Sequence, residues 1–334
     1  MTVVVTGSIA TDYLMVFPGR FREQLVDGRL DVVSLSFLID ELEMRRGGVG
    51  ANIAFGLGHL GHRPVLLGAA GEDFVEHREW LERHNVDTRY VRISRTRHTA
   101  RFLCTADSQG NQIASFYAGA MHEAREIDVA AIGRELGDVE LVVIGPDDPV
   151  AMLRHTRQCR DARLPFAAAP SQQLAQLTGE NCRELIVGAR YVFTNEDERD
   201  LLLLKTGWSA GEIRARIGTW VTTGDDGILV ESPREHQPVS VPEVRPRRDA
   251  DHAGAEDALR AGFLAGICWG LGVQRAAQLG CTLAAVAVEA QGPQEYDLVA
   301  REFVDRFTDA YGFRAAAEVS EKLRSAHTLQ QAAS

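Results

Sequence analysis

Two adjacent carboxylates, Glu256 and Asp257, stand where a glycine-bearing turn gives way to an apolar run, in the stretch Asp251-His252-Ala253-Gly254-Ala255-Glu256-Asp257-Ala258-Leu259-Arg260-Ala261-Gly262-Phe263. The pattern from Ala258 to Gly270 predicts a helix, so both acids sit at its start. A helix N-terminus presents unpaired N–H donors and the positive end of the macrodipole, which suits a phosphate. Gly254 allows an anion to come close to the backbone. Glu256 works against this. Two unit charges 4 Å apart repel by about 4 kcal/mol at an effective dielectric near 20. A multiply charged phosphate suffers more unless a metal ion or a proton intervenes. The alternative is a Glu256 turned to solvent beside a turn that works poorly. Neighbouring acids also push each other's pKa values apart, which is the condition for an acid–base pair.

A second glycine turn, Gly47-Gly48-Val49-Gly50-Ala51-Asn52, precedes an apolar helix. Its glycines let a ligand approach the backbone, and Asn52 has the amide to hydrogen-bond a sugar hydroxyl. Taken alone, tight packing explains such a turn as well.

The elements that must position these turns are legible as alternation. Short apolar runs at Val3–Gly7, Val65–Gly68, Leu141–Gly145, Pro165–Ala169, Tyr191–Thr194 and Thr219–Thr223 predict buried strands. Helical patterns lie between them, at Asn52–Leu60, Val150–Ala162, Leu174–Leu177 and Ser209–Gly218, and two helices, Ala258–Gly270 and Arg275–Glu289, close the C-terminal half. This order predicts an α/β fold with a doubly covered, mostly parallel sheet, whose ligands sit beyond the carboxyl ends of the strands. Two stretches, Tyr13–Arg46 and about Asp87–Ala118, alternate without a helical period and predict a small antiparallel lid. The expected division is therefore a core of residues 1–12, 47–86 and 119–328 and a β-lid of residues 13–46 and 87–118. The small polar tail Thr328–Ser334 is expected to fray.

The chain has 334 residues, 45% of them hydrophobic, with a formal net charge of −11. That charge argues against a nucleic-acid or anionic-membrane partner. Five cysteines, scattered and without a Cys-x-x-Cys, read as reduced cytoplasmic thiols. The first residues read as a strand rather than a signal peptide, and the apolar stretch near Phe263–Val273 is too short to span a bilayer.

In this order, the two glycine turns resemble the signature regions of the ribokinase-like (PfkB) sugar and nucleoside kinases. There the second segment reads Asp-x-Thr-Gly-Ala-Gly-Asp-Ala-Phe-x-Ala-Gly-Phe. Further segments, Gly7–Asp12, Arg46–Asn52, His98–Phe102, Ile113–Phe116, Pro170–Gln173 and Thr194-Asn195, are similar to actinobacterial adenosine kinases. The resemblance runs from Val3 to about Phe313. It implies a purine nucleoside or its monophosphate as ligand, ATP as co-substrate, Mg²⁺, and a homodimer built on the lid. It implies ribose contacts from Asp12, Gly48 and Asn52, with Ser8 at the floor. Phe102 and Phe116 would sandwich the base, whose edge Gln172 and Gln173 would read. Asn195 and Glu198 match an Asn-x-x-Glu motif that orders Mg²⁺ and phosphate water, Glu198 acting on the metal through water. Thr222, Gly224 and Gly227 match a turn near the nucleotide phosphates, as do Gly254 and Ala255. Asp257 would be the general base for the 5′-hydroxyl, with Glu256 beside it in the catalytic turn. A helix cap at Asn195, a plain hairpin at Asp226-Gly227 and ordinary lid core at the two phenylalanines are the local alternatives.

The chain departs from the pattern where phosphate binds. Glu256 replaces glycine, Ala253 threonine, His252 proline, Leu259 phenylalanine, and Ala169 stands where an acid is expected. Three functions are open on these residues: an ATP-dependent nucleoside 5′-kinase slowed by Glu256, removal of a nucleoside 5′-phosphate, and nucleoside binding without catalysis. For the first, Glu256→Gly is expected to raise turnover about tenfold or more.

Overall fold

The structure, a computed structural model, describes residues 2–24, 35–233 and 235–333. The strands in chain order are β1 (Thr2–Thr6), β2 (Ala10–Val16), β3 (Glu41–Gly47), β4 (Val65–Leu67), β5 (Ala69–Gly71), β6 (Arg92–Ser94), β7 (Ala100–Ala106), β8 (Gln112–Tyr117), β9 (Val139–Ile144), β10 (Phe166–Ala168), β11 (Tyr191–Asn195), β12 (Thr219–Gly224), β13 (Gly227–Glu231) and β14 (Val239–Pro242). Among the described residues the main sheet runs β14-β13-β12-β11-β10-β9-β1-β4. It is parallel from β4 to β12 and ends in two antiparallel pairings.

Both faces of this sheet are covered, as an all-apolar strand requires. Along β1, Val3 and Val5 enter one apolar cluster with Phe55, Phe263 and Leu279, while Val4 enters another with Val142, Met152 and Trp220. After β1 the chain moves to β4 on one side, then returns to β9 on the other. The sheet therefore has a switch point between β1 and β9, where α/β proteins open a ligand crevice.

A second, four-stranded sheet, β3-β2-β7-β8, forms the lid. Its first strand pair runs from Ala10 to Gly47, both inside segments assigned to the core, so Asp12 lies on a lid strand. Residues 87–99 lie along the core: β6 pairs with β5, and Asp87 bridges to Val65. Those pairings are shorter than the alternation predicts. Residues 25–34 of the expected lid fall outside the described residues.

The helices Val49–His59, Pro149–Asp161, Ala255–Cys268 and Val273–Val288 stand within a few residues of their expected positions. Leu174–Leu177 is replaced by a 3₁₀ turn, Ser171–Ala175. Two further helices follow, Ala300–Tyr311 and Phe313–Ala333. The second runs through the tail expected to fray, whose Gln330, Gln331, Ala332 and Ala333 include strong helix formers. No helix among the described residues is long and apolar enough to cross a membrane.

Candidate active site

A cavity of about 390 Å³ opens at the switch point under the lid. Ser8 and Pro146, which follow β1 and β9, form part of its floor, joined by a bond from the Ser8 amide to the Pro146 carbonyl (2.9 Å). The Ser8 hydroxyl accepts from the Val49 amide (3.0 Å) and so caps the helix Val49–His59. Gly48 enters this helix at φ 95°, and a Cβ there would lie 2.5 Å from the Ser8 carbonyl oxygen. Only glycine fits that approach. Asn52, one turn on, lines the cavity wall and is buried.

The lid supplies the roof. Asp12 pairs with Phe102, and Phe102 with Phe116, across β2, β7 and β8, so the three side chains share one face. All three line the cavity, and Phe116 is 53% exposed. Burial pushes the Asp12 carboxyl up to about 6, against the pull of Arg45. Gln172, Gln173 and Gln176 also line the cavity. The Gln173 Oε1 is buried and makes no hydrogen bond within the chain. A buried amide oxygen left so costs about 1–3 kcal/mol, which a ligand's donor would recover.

Gly254, at φ 80°, caps the helix Ala255–Cys268 and presses on Pro293, which a Cβ would meet at 2.4 Å. Asp257 sits in the first turn of that helix and is buried. Its Oδ2 accepts from Asn52 Nδ2 (2.9 Å) and its Oδ1 from Arg260 Nη1 (2.9 Å). Burial raises the Asp257 carboxyl to about 6; Arg260 and Asn52 oppose that shift, and Glu256 adds to it. The Arg260 guanidinium, 3% exposed, also reaches the Glu256 carboxylate (2.7 Å). Asn195 Nδ2 donates to the other Glu256 oxygen (3.2 Å).

Beyond Glu256 lies a smaller groove of about 160 Å³, lined by Thr223, Gly224, Gly227, Val244, Ala255 and Glu256 among others. The hairpin Gly224–Gly227 is closed by Asp225 and Asp226. The Thr222 side chain turns instead to Arg199 Nη1 (2.9 Å), so the groove has Thr223 where Thr222 was expected. Asn195 caps the helix Glu196–Thr206 and forms a reciprocal capping box with Glu198. The cap and the site therefore share residues. Burial raises the Glu198 carboxyl, with Arg260 opposing.

The pfkB family carbohydrate kinase model matches residues 11–300. The nucleoside kinase of Burkholderia thailandensis, solved with inosine, superposes with a TM-score of 0.82 at 31% identity, covering 94% of this chain and 99% of that one. The same protein solved with ADP-inosine gives 0.79 at 32% identity, covering 94% and 97%. The nucleoside kinase of Methanothermobacter thermautotrophicus is 26% identical over 283 residues, covering 83% of this chain and 89% of the relative. The chain belongs to the pfkB family. Its ribokinase-like fold agrees with these neighbours.

Within this pfkB fold, the expected site residues form two neighbouring groups. Ser8, Asp12, Gly48, Asn52, Phe102, Phe116, Gln172 and Gln173 surround the cavity, while Gly224, Gly227, Ala255 and Glu256 line the groove. Two residues escaped the sequence reading. Arg260 was visible as a Glu-to-Arg i,i+4 pair from Glu256, but its burial was not. Gln294, fully buried, donates from Nε2 to Asn52 Oδ1 (2.8 Å), and nothing in its turn Gly292-Pro293-Gln294-Glu295 marked it.

Glu256 is therefore neither free nor aimed at solvent alone. Arg260 cancels one of the two acid charges in the turn, so a phosphate meets a net charge near that of Asp257 by itself. The gain expected from Glu256→Gly shrinks accordingly. The acids Glu198, Glu256 and Asp257 against the single cation Arg260 leave a negative balance that fits a hydrated divalent ion, although no closed cage of three or more His, Cys, Asp or Glu side chains forms among the described residues.

Proposed function

We propose that this chain is an ATP-dependent kinase that phosphorylates the 5′-hydroxyl of a purine nucleoside, adenosine or a close relative such as inosine. One observation carries the reading. Asn52, on the cavity wall, holds Asp257, while the preceding residue, Glu256, lines the groove on the far side. A nucleoside in the cavity and a nucleotide in the groove would meet at Asp257. The two complexes of the Burkholderia relative support a nucleoside in this fold.

In this reading Phe102 and Phe116 stack on the base, worth about 1–3 kcal/mol per base. Asp12 and Asn52 hold the ribose, and Gln173 reads the base edge. Asp257, raised to about 6, is ionised at neutral pH yet basic enough to act. As the 5′-oxygen bonds to the γ-phosphorus, its proton passes to Asp257. The bond from the γ-phosphorus to the bridging oxygen breaks, and ADP leaves. The helix N-terminus after Gly254 would hold the transferring group, through first-turn N–H groups other than that of Ala255, which donates to the His252 carbonyl (3.2 Å). Mg²⁺ would supply charge neutralisation on the phosphates, its water held by Glu198 and Glu256. The pairing of Glu256 with Arg260 favours transfer over the 5′-phosphatase and non-catalytic readings, because it relieves the phosphate turn of its extra charge.

We place the reaction in the cytoplasm, where ATP is available and the five free thiols stay reduced. A homodimer through the outer lid face is part of the same reading. Leu42, Met44, Ile113 and Tyr117, on the face opposite Asp12, are 57%, 65%, 44% and 44% exposed.

Phe116→Ala should raise KM for the nucleoside about 5- to 150-fold with kcat little changed. Steady-state kinetics check this. The pH profile supplies another expectation. Asp12 and Asp257 both titrate near 6, and each must be ionised, the first to accept from ribose and the second to take the proton. Lowering the pH through 6 protonates both, so log kcat/KM should fall with a slope steeper than one, approaching two. Asp12→Asn should lower the plateau and return the slope to one. The purine assignment is tested by kcat/KM across adenosine, inosine, guanosine, cytidine and uridine. Purines should lead by an order of magnitude or more, and a pyrimidine in first place would refute the assignment.

A further inference from the structure

Behind Asp257 runs a directed chain of hydrogen bonds whose far members, Gln294 and His77, the proposed reaction does not itself use. His77, buried in the helix Val75–Arg83, contacts Gln294 Oε1 through Nε2 (2.9 Å). Gln294 Nε2 donates to Asn52 Oδ1 (2.8 Å), and Asn52 Nδ2 donates to Asp257 Oδ2 (2.9 Å). The Gln294 backbone is tied as well, its carbonyl accepting from Trp80 Nε1 (3.2 Å). An amide oxygen can only accept, so His77 carries its proton on Nε2. Burial lowers the His77 pKa to about 4, which keeps the ring neutral. The two side-chain amides of this run, Gln294 and Asn52, then each have one satisfied orientation.

We propose that Gln294 is a positioning residue. It fixes the Asn52 amide so that its NH₂ group, and never its oxygen, faces the carboxylate of Asp257. The inference rests on the kinase reading for its catalytic consequence, but not for the structural one. If Asn52 turned over, its oxygen would face the Asp257 carboxylate. Two acceptors would then meet in a buried site, and the proton that relieves the clash would disarm the base. The same amide lines the nucleoside cavity, so Gln294 sets the ribose contact and the base together. The loop that carries Gln294 is anchored at both ends. Gly292 N donates to Asp251 Oδ2 (3.0 Å), and Glu295 accepts from Arg46 (2.6 Å).

The groups that face Asp257 are few. Arg260 and Glu256 come from its own helix, and Asn52 from the helix Val49–His59. Tyr296, two residues beyond Gln294, feels the Asp257 charge: burial raises its phenol and Asp257 raises it further. Arg260 bonds Oδ1 and Asn52 bonds Oδ2, so a Gln294 substitution acts on the Asn52 side and does not touch the Arg260 side.

The test titrates the Asp257 carboxyl by ¹³C NMR, assigned with Asp257→Asn, in the wild type, in Gln294→Met and in His77→Phe. His77→Phe keeps Gln294 but removes the donor that orients it. Thermal melts show that each variant is folded. Gln294→Met should move the Asp257 titration to higher pH, with a smaller move in the same direction for His77→Phe. The acid limb of kcat/KM should move with it, and turnover at neutral pH should fall by up to about 10²-fold. The loss should shrink as the pH is raised. An unmoved titration in both folded variants overturns the proposal, as does a loss of rate equal at every pH. Should the wild type phosphorylate no nucleoside, the functional reading fails while the titration still decides the role of Gln294.

Discussion

Asp257→Asn should lower turnover by about 10²–10⁴-fold while leaving nucleoside affinity largely intact. The substituted amide keeps the shape of the carboxylate. One of its atoms can still accept from Asn52, so the cavity wall that Asn52 forms is retained. What disappears is the group that takes the proton from the attacking hydroxyl, and positioning alone supplies the residual rate. Calorimetry with adenosine and steady-state rates at saturating nucleoside separate the two quantities. A matching loss of affinity would show that Asp257 acts on the nucleoside pocket rather than on the proton.

Arg260→Met should be the most damaging single change to the fold of the site. The Arg260 guanidinium is 3% exposed and bridges Glu256 and Asp257. Removing one partner of a buried ion pair leaves the other charge uncompensated, at a cost of about 3–5 kcal/mol. Stability should fall by that order in urea melts, and turnover should fall with it. The sign of the pH dependence follows from the acids. Without Arg260 the Asp257 carboxyl rises further above its ordinary value, so the folded state binds protons that the unfolded state releases. The variant should therefore regain stability as the pH falls through 6 and lose it as the pH rises. Adding Glu256→Gln to Arg260→Met should recover part of the loss, because one fewer acid stands unpaired. If the double variant is no more stable than the single one, Arg260 does not serve as the counter-charge to Glu256.

Much of the fold was legible because buried parallel strands are written as apolar runs. Val3–Gly7, Leu141–Gly145 and Tyr191–Thr194 stand within two residues of β1, β9 and β11. The cavity residues were legible through resemblance at short motifs. Side-chain partnerships were less so. The acid of Glu256 reads in one dimension as a charge thrust at phosphate, and only the packed helix shows Arg260 beneath it. Gln294 lies 242 positions from Asn52, a separation that no local pattern encodes. The lid border was misplaced because β2 continues directly from the first core strand, with only residues 7–9 between them. For a similar reason Thr222 was expected in the groove that Thr223 lines. Neighbours on a strand face opposite ways, and a shift of one residue exchanges the groove for the core.

In the proposed reaction a nucleoside and a nucleotide meet at Asp257 and exchange a phosphoryl group. It is tested most directly by incubating the wild-type chain with adenosine or inosine, ATP and Mg²⁺ and following the products by ³¹P NMR. Phosphoryl transfer at Asp257 yields nucleoside 5′-monophosphate and ADP in equal amounts, with no product when either substrate is omitted. Inorganic phosphate released from a nucleoside monophosphate without ATP would contradict it, as would tight nucleoside binding with no phosphorylated product.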